Sequence, residues 1–311
     1  MLDARRLAYF LRIAELGSIS RAAAQLGVAQ PALSHHIRLL EAELGVPLLV
    51  RHARGVTATE AGDALAEHAR GIMRRIEAAE EDLRNTAGRL VGAVTVGIAS
   101  SLAESLAPPL LRTVTARYPE VVVRIVEATS TVLAEAVRSE RIGVAVNLQG
   151  VAESRAEPLF DEDLYLVAGR DLPLGHEITL RQALALPLIL PSRPHSMRSL
   201  IDRMAADHQQ ITNIATEVDG FQSLKAVIEA GLGYSILSWT AVERQVKAGL
   251  VTAAPIVSPT LTRTMVLDMS PGSRGQRSAL AIRQVIIEVV ASLFDDGIWR
   301  GVLRLPGCGQ S

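Results

Sequence analysis

The first 62 residues carry apolar side chains at helical spacing. In the first predicted helix they recur three and four positions apart, at Leu7, Phe10, Leu11 and Ala14. Gly17 ends this helix, and Ser18 or Ser20 can cap a second, short helix. Pro31 fits the first turn of a third helix, which ends at Gly45. The pattern predicts a compact helical unit.

Residues 63–86 are predicted to form one long, exposed helix. Its apolar residues lie alternately four and three positions apart, and charged residues occupy the other faces; the apolar positions are Leu65, Ala69, Ile72, Ile76, Ala79 and Leu83. Such a stripe packs either on the helix's own domain or on a partner helix. A narrow stripe flanked by charges favours the partner helix, so we predict that these residues form a dimer interface.

From Val91 onwards, strand patterns alternate with helix patterns. The predicted strands are Val94–Ser100, Val121–Ala128, Val144–Leu148, Leu164–Ala168, Leu188–Leu190, Ile214–Val218, Tyr234–Leu237 and Thr264–Met269. The predicted helices are Leu102–Arg117, Thr131–Arg141, Leu180–Ala185, Met197–Gln209, Phe221–Ala230, Thr240–Ala248 and Ala279–Phe294. This alternation predicts an α/β fold with mostly parallel, doubly wound sheets in two subdomains.

Composition narrows the class of protein. The net charge of −1 argues against a uniformly basic nucleic-acid binder, while a local basic surface stays open. The single cysteine, Cys308, excludes an internal disulfide, and the His/Cys pattern has no zinc spacing, so we expect neither a metal nor a cofactor. With no signal-peptide pattern and no long apolar stretch, we expect a cytoplasmic protein that does not interact with membranes.

Two segments carry a family resemblance. Residues 17–51 read GSISRAAAQLGVAQPALSHHIRLLEAELGVPLLVR, and residues 55–62 read GVTATEAG. They resemble the N-terminal domain of the LysR-type transcriptional regulators, and LLVRHARGVTATEAG with DEDLYLVAGRD is most similar to the nitrogen-assimilation-control subgroup. The resemblance implies a winged helix-turn-helix, a long linker helix and a two-lobed effector domain built like a periplasmic binding protein. It also implies a homodimer or homotetramer on double-stranded promoter DNA, with RNA polymerase as a further partner.

The resemblance also divides the chain into domains. It implies a winged helix-turn-helix over residues 1–62 and a dimerisation helix over 63–90. The first effector lobe would take residues 91–160 and 265–300, and the second lobe residues 161–264. Residues 301–311, which contain Pro306, Gly307 and Gly309, are predicted to be a flexible tail.

A helix-turn-helix places its second helix in the major groove, so residues on one face of that helix meet base edges. Glutamine can read adenine and arginine can read guanine, while a wing contacts phosphates. The candidate DNA contacts are Ser20, Arg21, Gln30, Pro31, Ser34, His35 and Arg38, with Arg51, Arg54 and Thr57 in the wing. Capping or surface roles for Gln30 and Ser34, and a solvated pair for His35 and His36, stay open. Ala29 replaces the Ser or Thr usual in the family and removes a cap hydroxyl.

In an open α/β sheet, ligands bind beyond the carboxyl ends of strands, at helix N-termini. The residues that fit this rule are Ser100, Ser101, Thr129, Ser130, Asn147, Ser192, Ser196 and Phe221. Hydroxyls and helix-start amides suit a small anion or carboxylate. The same Ser, Thr and Asn residues are also common helix caps, and Arg193, His195 and Arg198 either neutralise an acidic ligand or are surface charges.

Two other classes of protein compete with a regulator. An enzyme is disfavoured because the chain has no G-x-S-x-G, P-loop or H-E-x-x-H motif. GLGYSI at residues 231–236 follows a helix rather than a strand, so it is interpreted as a helix stop. A transporter's solute-binding protein is opposed by the helix-turn-helix and by the missing signal peptide. We therefore predict a sequence-specific regulator modulated by a small effector, and not an enzyme.

Overall fold

The computed structural model describes residues 2–53, 55–84, 90–151 and 155–303. They form two compact units. The N-terminal unit holds four α-helices, a two-stranded ribbon and the short segments 139–141 and 271–276, and the C-terminal unit holds the remaining α-helices and strands. Residues 85–89 of the predicted linker helix, Arg54 and residues 304–311 of the predicted tail lie outside the described residues. In the described start of that tail, Val302 and Leu303 pair as a short strand with Asp161 and Phe160.

The N-terminal unit contains α1 (Ala4–Leu16), α2 (Ile19–Leu26), α3 (Gln30–Leu44), β1 (Leu49–His52), β2 (Gly55–Ala58) and α4 (Glu60–Arg84). The predicted helix ends are confirmed. Gly17 and Gly45 follow α1 and α3 in the left-handed conformation that glycine tolerates best. Of the two candidate caps, Ser18 is the one that accepts the Arg21 amide at the start of α2.

The core of this unit is built from one face of each helix. Phe10, Leu33 and Leu40 are fully buried in it. Ala66 and Ala69 of α4 join the same core. The long helix is therefore attached to the helix-turn-helix over its first turns, because its small side chains let the helices approach closely.

The C-terminal unit alternates strands and helices. Its strands are β3 (Gly92–Ala99), β4 (Val121–Ala128), β5 (Val144–Leu148), β6 (Glu157–Gly169), β7 (Ile178–Thr179), β8 (Leu188–Leu190), β9 (Ile214–Glu217), β10 (Tyr234–Ser238), β11 (Val251–Val257), β12 (Thr262–Met269) and β13 (Val302–Leu303). Its helices are α5 (Ser100–Arg117), α6 (Ser130–Arg138), α7 (Leu180–Ala185), α8 (Ser196–Asp207), α9 (Phe221–Glu229), α10 (Trp239–Lys247) and α11 (Arg277–Asp295).

Two parallel groups of strands are joined by two antiparallel strands. The order is β4-β3-β5-β12-β6-β10-β8-β9, and β12 and β6 cross the middle. The strands β4, β3 and β5 are parallel, as are β10, β8 and β9. One hydrophobic core forms around the first group and α5, and two smaller cores form around the second group. The first half of β6 belongs to the first core and its second half to the others.

Most predicted elements lie within three residues of the observed ones, but the crossing region was underestimated. We predicted β6 only over Leu164–Ala168, whereas it spans Glu157–Gly169. The prediction omitted β7, β11 and β13, and two antiparallel strands interrupt the expected parallel order. No helix among the described residues is long and apolar enough to cross a membrane.

Candidate functional site

The third helix presents one buried and one exposed face. Leu33, Ile37 and Leu40 face the core at helical spacing. On the other side, Pro31, Ala32, His35, Arg38 and Leu39 are exposed. Arg38 makes no ion pair or hydrogen bond with any described residue, so its guanidinium is available to a partner. The exposed face of α3 thus offers His35 and the unpaired guanidinium of Arg38 to a partner.

The start of α3 is arranged by a side-chain contact rather than by a cap. Ala29 precedes the helix and makes no side-chain cap bond, as the sequence predicts. Gln30 Nε2 donates to Ser34 Oγ at 3.2 Å. Ser34 is only 7% exposed, so its hydroxyl faces Gln30 one turn away and not the solvent. Direct contact between Ser34 and a base is therefore disfavoured in this conformation, and Gln30 is the exposed member of the pair.

The remaining candidate DNA contacts lie on two elements. Ser20 and Arg21 are exposed on α2, and Arg21 Nη2 donates to Leu16 O at 2.5 Å. Arg51 on β1 and Thr57 on β2 are exposed in the wing. Arg51 pairs with Val56, whereas Thr57 pairs with Val50, and facing residues share a face of the ribbon. Arg51 and Thr57 therefore project from opposite faces, and a flat surface can contact only one of them.

Several residues that carry the family resemblance hold the wing in place. Glu41 Oε1 accepts the amides of Leu48 and Leu49, at 2.9 and 3.2 Å. Thr59 Oγ1 donates to Pro47 O at 2.8 Å and accepts the Gly62 amide at 3.0 Å, which caps α4. These motif residues are structural, because their polar atoms are used within the unit.

The predicted dimer stripe on α4 separates into two parts. Ala69 is fully buried in the core of its own unit and Leu65 is half-buried against it, so the alternative of packing within the domain is correct at these two positions. Ile72 and Ile76 are 39% and 36% exposed, and Ala79 is exposed as well. The side chain of Leu83 lies outside the described residues. The stripe available to a partner thus begins at Ile72.

A cavity lies within the C-terminal unit at the carboxyl ends of β3, β4, β8, β9 and β10. It encloses about 680 Å³ of empty space, including the part that opens to solvent. The helices α5, α6, α8 and α9 begin beside it. The starts of α5 and α9 have no side-chain cap, so their first amides are not satisfied by a side chain. Helix N-termini of this kind favour negatively charged groups.

Six of the eight predicted effector residues line this cavity: Ser100, Ser101, Thr129, Ser130, Ser196 and Phe221. Asn147 does not, because it is fully buried, donates to Ser130 O at 3.1 Å and accepts the Leu148 amide. Ser192 does not line it either. Both its amide and its hydroxyl donate to Asp219 Oδ1, at 2.8 and 2.6 Å. Ser192 therefore positions Asp219, which does line the cavity.

The sequence reasoning missed Arg263, a buried arginine at the base of the cavity. Its Nε donates to Glu162 Oε1 at 2.7 Å, and its Nη2 donates to Ser101 Oγ at 2.9 Å and Ser238 Oγ at 2.7 Å. Glu162 is fully buried and also accepts Thr240 Oγ1 at 2.7 Å. Strand β12 positions Arg263 and strand β6 positions Glu162, directly across the ladder.

Arg263 retains donor capacity towards the cavity. Its Nη1 makes one contact with the described residues, to Met197 Sδ at 3.6 Å, and a thioether is a weak acceptor. A buried guanidinium group whose Nη1 has only a weak acceptor beside a cavity is suited to a carboxylate or another oxyanion.

Two further titratable groups line the cavity. Burial lowers the pKa of His195, and the charge of Arg263 lowers it further, against the opposing effect of Asp219. The two hydrogen bonds from Ser192 lower the pKa of Asp219. Near neutral pH, His195 is therefore neutral and Asp219 is ionised.

The other two basic candidates have roles outside the cavity. Arg198 is buried and bonds Glu217 Oε1 at 2.6 Å and Asp202 Oδ1 at 3.1 Å. Arg193 is exposed and pairs with Asp202 at 2.8 Å. Neither lines the cavity, so both arginines stabilise the loop before α8 rather than face a ligand there.

Comparison with known proteins identifies the class. Residues 4–63 match the family of bacterial regulatory helix-turn-helix proteins of the lysR type, and residues 87–291 match the LysR substrate binding domain. The chain therefore belongs to the LysR family of transcriptional regulators, which bind DNA through the first domain and are not enzymes.

Relatives and solved structures agree with this class. The chain is 34% identical to the nitrogen assimilation regulatory protein nac of Klebsiella aerogenes over 293 residues, which cover 93% of this chain and 96% of the relative. The predicted likeness to that subgroup is confirmed. A full-length OxyR variant from Pseudomonas aeruginosa has the same fold, with a TM-score of 0.75 at 22% identity over 93% of this chain and 95% of that one. Full-length CbnR in complex with its target DNA is 25% identical, with a TM-score of 0.66, over 93% of this chain and 100% of that chain.

Proposed function

We propose that this LysR-type regulator reads promoter DNA with the exposed face of α3 and is modulated by a small molecule in the cavity of its C-terminal unit. The observation that carries the DNA-binding part is the free guanidinium of Arg38 on the exposed face of α3. An arginine there can donate two hydrogen bonds to guanine O6 and N7, the commonest specific contact in the major groove. Arg38 is thus the residue to which we assign most of the sequence choice.

Gln30 and His35 complete the reading face. The bond from Gln30 to Ser34 holds the amide at the start of α3, where a recognition helix meets base edges. Ser34 acts as a positioning residue for Gln30. Pro31, exposed at the start of α3, suits a close approach to the DNA backbone.

The wing supplies contacts to phosphates. Arg51 and Thr57 project from opposite faces of the ribbon, so we assign the phosphate contact to Arg51, which carries the charge. Ser20 and Arg21, exposed on α2, are assigned to the backbone as well, because the first helix of the motif crosses it. Such contacts give affinity and salt dependence rather than sequence choice.

The active form is proposed to be a homodimer, or a tetramer of two dimers, joined by α4. The exposed stripe of Ile72, Ile76 and Ala79 supports this assembly. We propose that the chain divides into a DNA-binding domain, a linker helix and two lobes; the separate hydrophobic cores on either side of β6 and β12 support the two lobes. Because promoter DNA of a bacterium lies in the cytoplasm, we place the protein there.

The effector is proposed to bind at Arg263. Its partly unsatisfied guanidinium, the hydroxyls of Ser101 and Ser130 and the neighbouring helix N-termini suit an acidic group. The rest of the wall is mainly apolar, as ligand cavities usually are, and suits a small organic body.

A mobility-shift experiment tests the DNA-binding proposal. Arg38→Ala is expected to cost about 1–3 kcal/mol on the chain's own upstream DNA and to relax the base preference at one position. Arg51→Ala is expected to weaken binding to all sequences and to lower the slope of affinity against salt. The control is Arg181→Ala, which removes an exposed arginine of the C-terminal unit. Unchanged specific binding by the Arg38 variant, with the folded state intact, would refute the assignment.

A further inference from the structure

The charges around the cavity restrict the chemistry of the ligand. Among the residues that line it, three are titratable: His195, Asp219 and Arg263. Arg263 is already neutralised by Glu162, which accepts a hydrogen bond from its Nε and forms an ion pair with the guanidinium group. His195 is neutral near pH 7, so it does not balance another charge. Asp219, which is exposed at the mouth of the cavity, therefore carries a negative charge that forms an ion pair with no lining group of the described residues.

Asp219 is held in an orientation that leaves one oxygen available. Its Oδ1 accepts both bonds from Ser192, and no described residue donates to its Oδ2. The position precedes α9 in the loop after β9, at the rim of the cavity. A carboxylate fixed through one oxygen and open at the other is suited to accept a cationic donor.

At the base of the cavity, in contrast to Asp219, the protein groups are donors and suit an anionic group of the ligand. Arg263 Nη1 needs an acceptor better than the Met197 sulfur, and the starts of α5 and α9 favour negative charge. A ligand with only a cationic group would leave these donors unsatisfied. A ligand with only anionic groups would meet the uncompensated charge of Asp219.

We propose that the ligand is an amino acid, whose carboxylate binds Arg263 and whose ammonium group binds Asp219. This inference rests on the proposed effector site and narrows its ligand from a small acid to a zwitterion. The carboxylate accepts from Nη1 and from the hydroxyls beside it. The ammonium group donates to Asp219 Oδ2, and the apolar wall formed by Phe221, Leu224 and Ile236 contacts the side chain.

Thermal-shift and calorimetric titration of the full-length protein test this ligand class. The probes are the protein-forming L-amino acids, each compared with the same acid lacking its amino group, such as leucine with 4-methylpentanoate. At least one amino acid is expected to raise the Tm in a saturable way. Its desamino acid should bind more weakly, by up to about fivefold, the factor that a solvent-screened ion pair provides.

Asp219→Asn tests whether Asp219 is responsible for the preference for an amino acid over its desamino acid. Asparagine keeps an oxygen for Ser192 and loses only the charge. The variant is expected to bind the amino acid and its desamino acid equally. Asp171→Asn removes one exposed carboxylate elsewhere in the same unit and should preserve the difference.

Three results would overturn the inference: equal or tighter binding of the desamino acids to the wild type, discrimination that survives Asp219→Asn, or no binding of any amino acid. Tight binding of simple carboxylates would overturn the zwitterion and leave the proposed effector site standing. Mobility shifts with the same preparations report separately on the DNA-binding function.

Discussion

At Gly62, the absence of a Cβ atom lets α4 pack closely against the backbone just before the wing. A Cβ at this position would lie 2.1 Å from the carbonyl oxygen of Leu48, and 3.2 Å from the Cβ of Ala58. Backbone cannot move aside as a flexible side chain can. Gly62→Ala is therefore expected to destabilise the N-terminal unit by about 1–3 kcal/mol, the usual cost of overpacking. Hydrogen exchange of the amides in β1, β2 and α4 measures the change in that unit alone.

Gly71 provides the matched control in the same helix. A Cβ there would have no neighbour closer than 3.8 Å. Gly71→Ala should stabilise α4 by up to about 1 kcal/mol, because alanine loses less conformational freedom in a helix. If both variants changed protection in the same direction, close packing at Gly62 would not explain its place in the sequence.

At the scale of the helix, α4 has two differently packed parts along its length. Its first turns pack on the helix-turn-helix, and its later turns expose Ile72 and Ile76. Ile72→Glu or Ile76→Glu is expected to shift the dimer towards monomer by about tenfold or more, because a charge buried without a partner is strongly unfavourable at such an interface. Sedimentation at several concentrations measures the shift.

Ile211 supplies the same substitution away from α4. It is 90% exposed in the C-terminal unit, so Ile211→Glu changes the charge without touching the helix. We expect its sedimentation to match that of the wild type. A dimer that persisted in the Ile72 and Ile76 variants would move the interface to another element.

The strands show where sequence patterns succeed and where they fail. β4, β5, α7 and β8 have the predicted bounds because their apolar residues form uninterrupted patterns. The first half of β6 was missed because it reads EPLFDED, and acidic residues break the alternation of a strand. In the structure Glu162 pairs with Arg263, and Asp161 accepts a bond from Thr264 at 2.6 Å. Pairing across the ladder makes these charges compatible with a buried strand.

For the same reason, that a charged residue interrupts a strand pattern, the sequence did not indicate Arg263, the central residue of the candidate site. Strand β12 was predicted to begin at Thr264, one residue after Arg263, whereas it begins at Thr262. The rule that ligands meet helix N-termini found six cavity residues, because each directly follows a strand or is one of the first two residues of a helix. That rule cannot find Arg263, which lies inside a strand. It also selected Asn147, whose amide is used within the core.

At the scale of the whole C-terminal unit, one guanidinium group contacts both sides of the cavity. Arg263 Nη2 bonds Ser101 at the start of α5, which belongs to the first core, and Ser238 at the end of β10, beside the second. The strands β6 and β12, which carry Glu162 and Arg263, are the two that cross between the cores. The buried ion pair therefore lies where the two halves of the unit are joined.

Removing either member of this pair should destabilise the unit more than removing both. Glu162→Leu leaves the Arg263 cation buried without its partner, and Arg263→Met leaves the carboxylate, so each is expected to cost about 3–5 kcal/mol. The double variant should recover most of that loss, because well-packed apolar residues replace the pair.

Both tryptophans of the chain, Trp239 and Trp299, lie in this unit, so their fluorescence during denaturation measures its unfolding. Arg117→Ala, which breaks the exposed pair with Glu288, should leave the midpoint unchanged. If the losses of the two single variants simply added in the double variant, the pair would not act as a unit, and its role in joining the two cores would have to be abandoned.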